Sequence, residues 1–407
     1  MELRRQLHRA TVDTVHTDGN SRMMRFVASR NFERLPKRVC LRIKRATMEP
    51  TNALSLDRDE RRQRKTNALR SGMILTGVTL ALAIEAPASV GPSYDRASVL
   101  VFNEENDLFL NTDRHYTQGL RFAYLHEDGH TPLGMTMVNG WLPAWGFDLK
   151  SARSGYGVGQ SMYTPANLNT VQRVPLDRPY AGWLHLDWIL QRSGITHTRQ
   201  IPVQESWELE LGVMGSPSLA QQAQTWVHAI RGFDLPQGWR NQLRDEPGFR
   251  LKYERSYRLD LTDPSQDFGL QLLPWGGGVL GTVEDTLRLG GMLRMGFVLP
   301  DDHGVRIIDS LSTTSGGQSR RHPRRWGAYG FVGTEGRLVG HNSFLDGNLV
   351  RSSPNVAKNF IVGDVMVGFN VVLHSLELGY THAFRTPEFK NQTEANQFGS
   401  VYVKIRF

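Results

Sequence analysis

The chain has 407 residues and a single cysteine, Cys40, which lies near its N-terminus. No disulfide can form within one chain from a lone thiol, so the body must be held by other means. Long apolar runs are missing too. No segment after the first ninety residues approaches the ~20 apolar residues of a membrane-spanning helix, which excludes a helical membrane protein. The body also lacks a surplus of positive charge. The net charge is +8, but residues 1–88 carry 18 Lys and Arg against 9 Asp and Glu, and the remainder carries 30 against 31. A nucleic-acid partner is therefore not expected. There is no internal repeat or low-complexity tract. The chain has no G-x-S-x-G elbow, so no serine nucleophile is indicated by motif.

What is present begins with a leader. The charged stretch RDERRQRKTNALRSG precedes the short apolar run Met73–Ile84, and Ala86–Ala88 reads APA. This is the order of a secretory signal peptide, and its apolar run is too short to span a bilayer. Residues 1–88 are thus expected to be a basic leader with cleavage near Ala88, followed by the body, residues 89–407. The charged region is long if translation begins at Met1. Met48 stands at a more typical distance, so residues 1–47 read as an extension or a misassigned start.

The body alternates with period two. In SWELELGVMG, Trp207, Leu209, Leu211 and Val213 share a face opposite Glu208, Glu210 and Gly212. In LELGYTHAF, Leu376, Leu378, Tyr380, His382 and Phe384 oppose Glu377, Gly379, Thr381 and Ala383. The last strand sets Val401, Val403, Ile405 and Phe407 against Tyr402, Lys404 and Arg406. A soluble sandwich alternates similarly. Three features favour a barrel: segments of about ten residues or more, a terminal aromatic on the apolar face, and a leader that implies export. The reading is an all-β fold, a twelve-stranded antiparallel transmembrane β-barrel of the bacterial outer membrane with a short helical excursion. Its strands are expected near 97–104, 117–126, 156–162, 181–192, 203–214, 249–260, 267–279, 285–298, 325–338, 360–373, 375–385 and 398–407. Both ends belong on the periplasmic side. The long connections 127–155, 163–180, 215–248 and 299–324 are expected to be extracellular.

The 215–248 connection loses strand alternation and reads as helix, capped by Ser216 or Ser218 and ended by Gly232. A second short helix is expected near Gly238–Leu243. Gln221, Gln224 and His228 fall at i, i+3 and i+7, on one helical face. Taken singly, His228 reads as a packed loop histidine. Asn106 and Asp107, just after the first strand, read as a turn, and Thr117 as an ordinary strand start. Asp107 also has the oxygen chemistry of a Ca²⁺ ligand.

Taken together, ENDLF…TDRHYTQGL, Asp177–Trp183 (DRPYAGW) and GVMGSP…Q…H followed by W…QL resemble the outer-membrane lipid A deacylase family, the LpxR family. The resemblance runs in order across nearly the whole body. It implies a twelve-stranded barrel that removes the 3′-acyloxyacyl chain of lipid A in the outer leaflet with Ca²⁺. It also implies catalytic roles for Asn106, Asp107, Thr117, Gln224 and His228. Asp234, where the family carries Glu, joins Asp107 as a metal candidate. The family's basic residues in the 163–180 loop have no clear counterpart here, and Arg173 and Arg178 stand as substrate-binding candidates. The implied partners are lipopolysaccharide and the outer-membrane assembly machinery. The implied chemistry is ester hydrolysis by water activated by His228. Two alternatives stand beside it: a porin-like barrel without chemistry, and an outer-membrane phospholipase.

Overall fold

The computed structural model describes residues 97–107, 115–263, 266–311 and 326–407. The expected leader lies outside the described residues.

Twelve antiparallel strands follow in order: β1 Val99–Asn106, β2 His115–Leu125, β3 Phe147–Thr164, β4 Ala181–Thr196, β5 Pro202–Met214 and β6 Glu246–Tyr257, then β7 Phe268–Gly281, β8 Glu284–Phe297, β9 Trp326–Asn342, β10 Ile361–Leu373, β11 Leu376–Arg385 and β12 Asn396–Arg406. A two-residue step, Leu259–Asp260, continues β6 against β7. Each strand pairs with its sequence neighbours. β1 pairs with β12, from Val99 opposite Arg406 to Asn106 opposite Gly399, and this closes the barrel. Closure satisfies every ladder without an edge, as a sheet in lipid requires. No helix among the described residues is long and apolar enough to cross a membrane.

Alternation places charge inside and apolar side chains outside. Glu208, Glu210, Glu377, Lys404 and Arg406 are buried in the lumen, while Leu211, Leu287, Leu289, Phe369 and Phe384 point outward and are exposed. This is the inverse of a soluble sandwich and the pattern of a transmembrane barrel. The lumen charges are paired. Arg121 lies 2.8 Å from both Asp187 and Glu208, Arg250 2.5 Å from Glu210, and Lys252 2.6 Å from Glu210.

One expectation about the connections is corrected. Strand parity sends the β1–β2, β3–β4, β5–β6, β7–β8, β9–β10 and β11–β12 connections to one rim. The β2–β3 and β8–β9 connections leave from the other rim, beside the chain end Phe407. The 127–155 and 299–324 stretches therefore do not join 163–180 and 215–248 on one side. Part of 127–155 is in fact strand, since β3 begins at Phe147, and the rest carries α1, Leu133–Trp141. Residues 299–311 turn back into the lumen. Asp302 pairs with Arg294 (2.5 Å) and Lys404 (3.1 Å), Asp309 with Arg337 (2.8 Å) and Arg385 (2.7 Å), and Ile308 N–H donates to Glu105 at 2.7 Å.

Candidate functional site

The expected helical excursion is α2, Ala220–Arg231, at the rim opposite the chain ends. Its start differs from expectation. Ser216–Ser218 form a 3₁₀ turn rather than a cap, and Leu219 enters the helix from the left-handed region at φ 59°. Gly232 ends it at φ 69°, as expected. The second short helix is a 3₁₀ turn, Trp239–Asn241.

α2 packs on the outside of the barrel wall. Met162 and Gly182 are on the outward parity of β3 and β4, opposite to lumen-facing Tyr163 and Trp183. Met162 clusters with Ala220, Trp239 and Tyr180. Gln160 Nε2 donates to the Ser218 carbonyl at 2.6 Å. At Gly182 a Cβ would collide with Ser218 Oγ and the Ala220 methyl, so only glycine lets the excursion lie this close. At the other end of α2, Arg231 is near enough for its charge to act on Glu104 of β1. The excursion thus lies against β3 and β4 on the lipid-facing side.

Two of the expected residues, Gln224 and His228, are on this helix. Gln224 and His228 are buried, whereas Gln221 is exposed, so the shared face is narrower than its spacing implied. His228, 3% exposed, has Nδ1 2.6 Å from the Asp234 carbonyl oxygen. A carbonyl can only accept, so Nδ1 carries the proton and the imidazole lone pair is on Nε2. Gln224 Oε1 accepts from Trp239 Nε1 at 2.7 Å, which orients the amide so that its NH₂ is the donor it can offer. On the wall, Asn106 ends β1 opposite Gln118, and the bulged Thr117 precedes Gln118. Thr117 and Thr164 hydroxyls are 2.7 Å apart, and Asp107 is fully buried. Asn106, Asp107, Thr117 and Thr164 are thus neighbours along the β1–β2–β3 ladders and offer amide, carboxylate and hydroxyl oxygens. This is a hard-donor set that fits Ca²⁺.

The remaining candidates sit elsewhere. Asp234 is exposed, and its carbonyl rather than its carboxylate meets His228. Arg173 is exposed and donates to the Asn355 carbonyl at 2.6 Å, tying two rim loops together. Arg178 is turned into the lumen mouth, paired with Glu388 at 3.0 Å and stacked over Tyr163. Thr164 escaped the sequence reading, while Glu105 and Trp239 stood in the quoted motifs without a role of their own. Glu105 accepts from Tyr116 (2.7 Å) and Ile308, and so pins the lumen side of the strand that carries Asn106 and Asp107. Nothing in the sequence links these pairs, which are 11 to 203 residues apart.

A second ligand-like cluster, His185, Asp187 and Glu210, lies in the lumen. Its spacing is compatible with a metal, but its carboxylates already pair with Arg121, Arg250 and Lys252.

Fold and site together define a class, an outer-membrane β-barrel with a helical excursion docked on its outer wall. Within that class the chain belongs to the family described as outer membrane protein LpxR, whose model matches residues 74–407. Among solved structures it is similar to LpxR from Salmonella typhimurium, at 18% identity and a TM-score of 0.61, covering 76% of this chain and 100% of that one. The β domain of the Bordetella autotransporter BrkA is also similar, at 10% identity and a TM-score of 0.32, covering 76% of this chain and 98% of that one. No curated protein matches the chain.

Proposed function

We propose that the protein is a Ca²⁺-dependent lipid A 3′-O-deacylase, a carboxylic ester hydrolase acting on lipopolysaccharide in the outer leaflet. The observation that carries this reading is His228, an imidazole of fixed tautomer on the buried face of a helix that lies against the outer side of the wall. An ester that never leaves the membrane can be reached there, whereas a lumenal site would require acyl chains to cross a charged interior.

His228 Nε2 takes a proton from water, and the hydroxide attacks the acyl carbonyl carbon. Charge develops on the carbonyl oxygen, where the Gln224 amide donates a hydrogen bond. The ester C–O bond breaks, and the imidazolium returns its proton to the leaving sugar oxygen, giving a fatty acid and a free hydroxyl. Thr117, held by Thr164, positions the water. Asp107, with Asn106 and Asp234, would hold Ca²⁺, which when bound supplies positive charge for the oxyanion. Arg173 is the residue proposed to meet the lipid A phosphates.

The test is acyl release by the folded, purified barrel from lipid A in mixed micelles, with Ca²⁺ or with chelator. Release that needs Ca²⁺ and falls about 10²–10⁴-fold in His228→Ala supports the reading. No release from lipid A by folded protein with Ca²⁺ sinks it, and release from a glycerophospholipid alone would make the enzyme a phospholipase.

A further inference from the structure

Below the site, on the opposite rim, an apolar groove of about 600 Å³ lies between α1 and the outer wall. Its wall side is a cross-strand row in which Trp188 faces Leu209 and Leu209 faces Leu251. All three are on the outward parity, opposite to lumen-facing Asp187, Glu208 and Lys252. The helix side is Met135, Val138 and Leu142. α1 contains no charged residue. Trp141 and Trp145, 76% and 73% exposed, stand at its rim end, as aromatics do at a membrane interface.

The groove is built rather than left over. Arg192, itself paired with Glu205 at 2.8 Å, donates to the carbonyls of Leu142 (2.9 Å) and Pro143 (3.3 Å). This pins the end of α1 and keeps the helix from sliding. A dry apolar gap of this size would forfeit the dispersion contacts of everything lining it. Its volume falls in the ~300–1,000 Å³ range of sites that enclose one small ligand.

We propose that this groove is a binding site for one acyl chain of a glycerophospholipid from the periplasmic leaflet. Two observations choose that occupant. The groove is continuous with the lipid-facing band of the wall, since Leu211 beside it is exposed outward. It also opens at the rim of the chain ends, which an even-stranded bacterial barrel keeps on the periplasmic side. It runs from that rim toward the middle of β4 and β5, the course of a chain descending from its headgroup to the bilayer centre. α1 then acts as a strap holding an annular lipid, and the site is separate from His228.

The test is native mass spectrometry of the full barrel after exchange from phosphatidylethanolamine-containing micelles into lipid-free detergent. The wild type and a control substituted on another lipid-facing position, Val332→Trp, are expected to retain one phosphatidylethanolamine. Leu209→Trp and Met135→Trp, which fill the groove, are expected to lose it, with folding of each checked by heat-modifiable migration. If a filled variant fails to fold, Val138→Phe takes its place. Retention by the filled variants, loss from the wild type at the same detergent concentration, or a second copy of the chain covering α1 would each overturn the proposal.

Discussion

At the scale of single residues, two positions, His228 and Gly182, have surroundings that were not visible in the sequence. His228 was placed by spacing and resemblance, but its tautomer comes from the Asp234 backbone carbonyl, which any residue at 234 can supply. That explains how the family's Glu can be Asp here without disturbing the imidazole. Asp234→Asn is therefore expected to leave His228 in place. In a Ca²⁺ titration of acyl release, a raised Ca²⁺ requirement with unchanged maximal rate marks the carboxylate as a cation ligand, and an unchanged curve removes it from the set. Gly182 is the second point. A methyl group there meets Ser218 and Ala220, so Gly182→Ala is expected to cost roughly 1–3 kcal/mol of overpacking and to lift the start of α2 from the wall. Loss of acyl release with an intact barrel is the expected result, and wild-type activity would contradict the close packing. The contacts of Thr164 with Thr117 and of Trp239 with Gln224 were illegible beforehand because the partners are distant in sequence, and period-two patterning says nothing about what touches a strand end.

Among the elements, the strands were the legible part. Glu208 and Glu210, Glu377, Lys404 and Arg406 lie on the faces that alternation assigned them, because a one-residue slip would turn charge into lipid. Strand ends moved by several residues, and β3 gained nine residues at its start, where KSARSGYG alternates too weakly to read. The inward return of 299–311 was missed because a segment such as DDHGVRIIDS carries charges that ordinarily mark a solvated loop. Here those charges meet counter-charges inside the barrel. His303 in this segment has its pKa pushed down to about 3 by burial and by neighbouring Arg258, Arg306 and Arg294, against the opposing pull of Asp302. A released segment would titrate near 6.5. The docked state thus keeps a neutral imidazole, and its stability is full above pH ~6.5 and falls as pH drops toward 3. By linkage the loss is roughly 2 kcal/mol at pH 5. Hydrogen exchange over residues 299–311 is expected to quicken between pH 7 and 5, after correction for intrinsic rates. His303→Gln should flatten that dependence, and equal protection at both values would contradict it.

For the molecule as a whole, the inverted burial and the closed β1–β12 seam make a barrel with an apolar outer wall and a charged, filled lumen. The lumen is crossed by paired charges and by residues 299–311, so planar-bilayer recordings are expected to show no large steady conductance. Porin-like steps from the folded protein would contradict a filled interior. Barrel class was readable from composition, alternation and the terminal aromatic. The rim that each long connection occupies was not, since that depends on strand parity rather than on loop length.

The central claim is that His228 on the outer wall hydrolyses an ester of lipid A. It is tested most directly by mass spectrometry of lipid A from cells producing the wild type or His228→Ala, both shown to be inserted and folded. The account predicts loss of a 3′-acyloxyacyl unit with the wild type and full-length lipid A with the variant. Identical lipid A from both would contradict it.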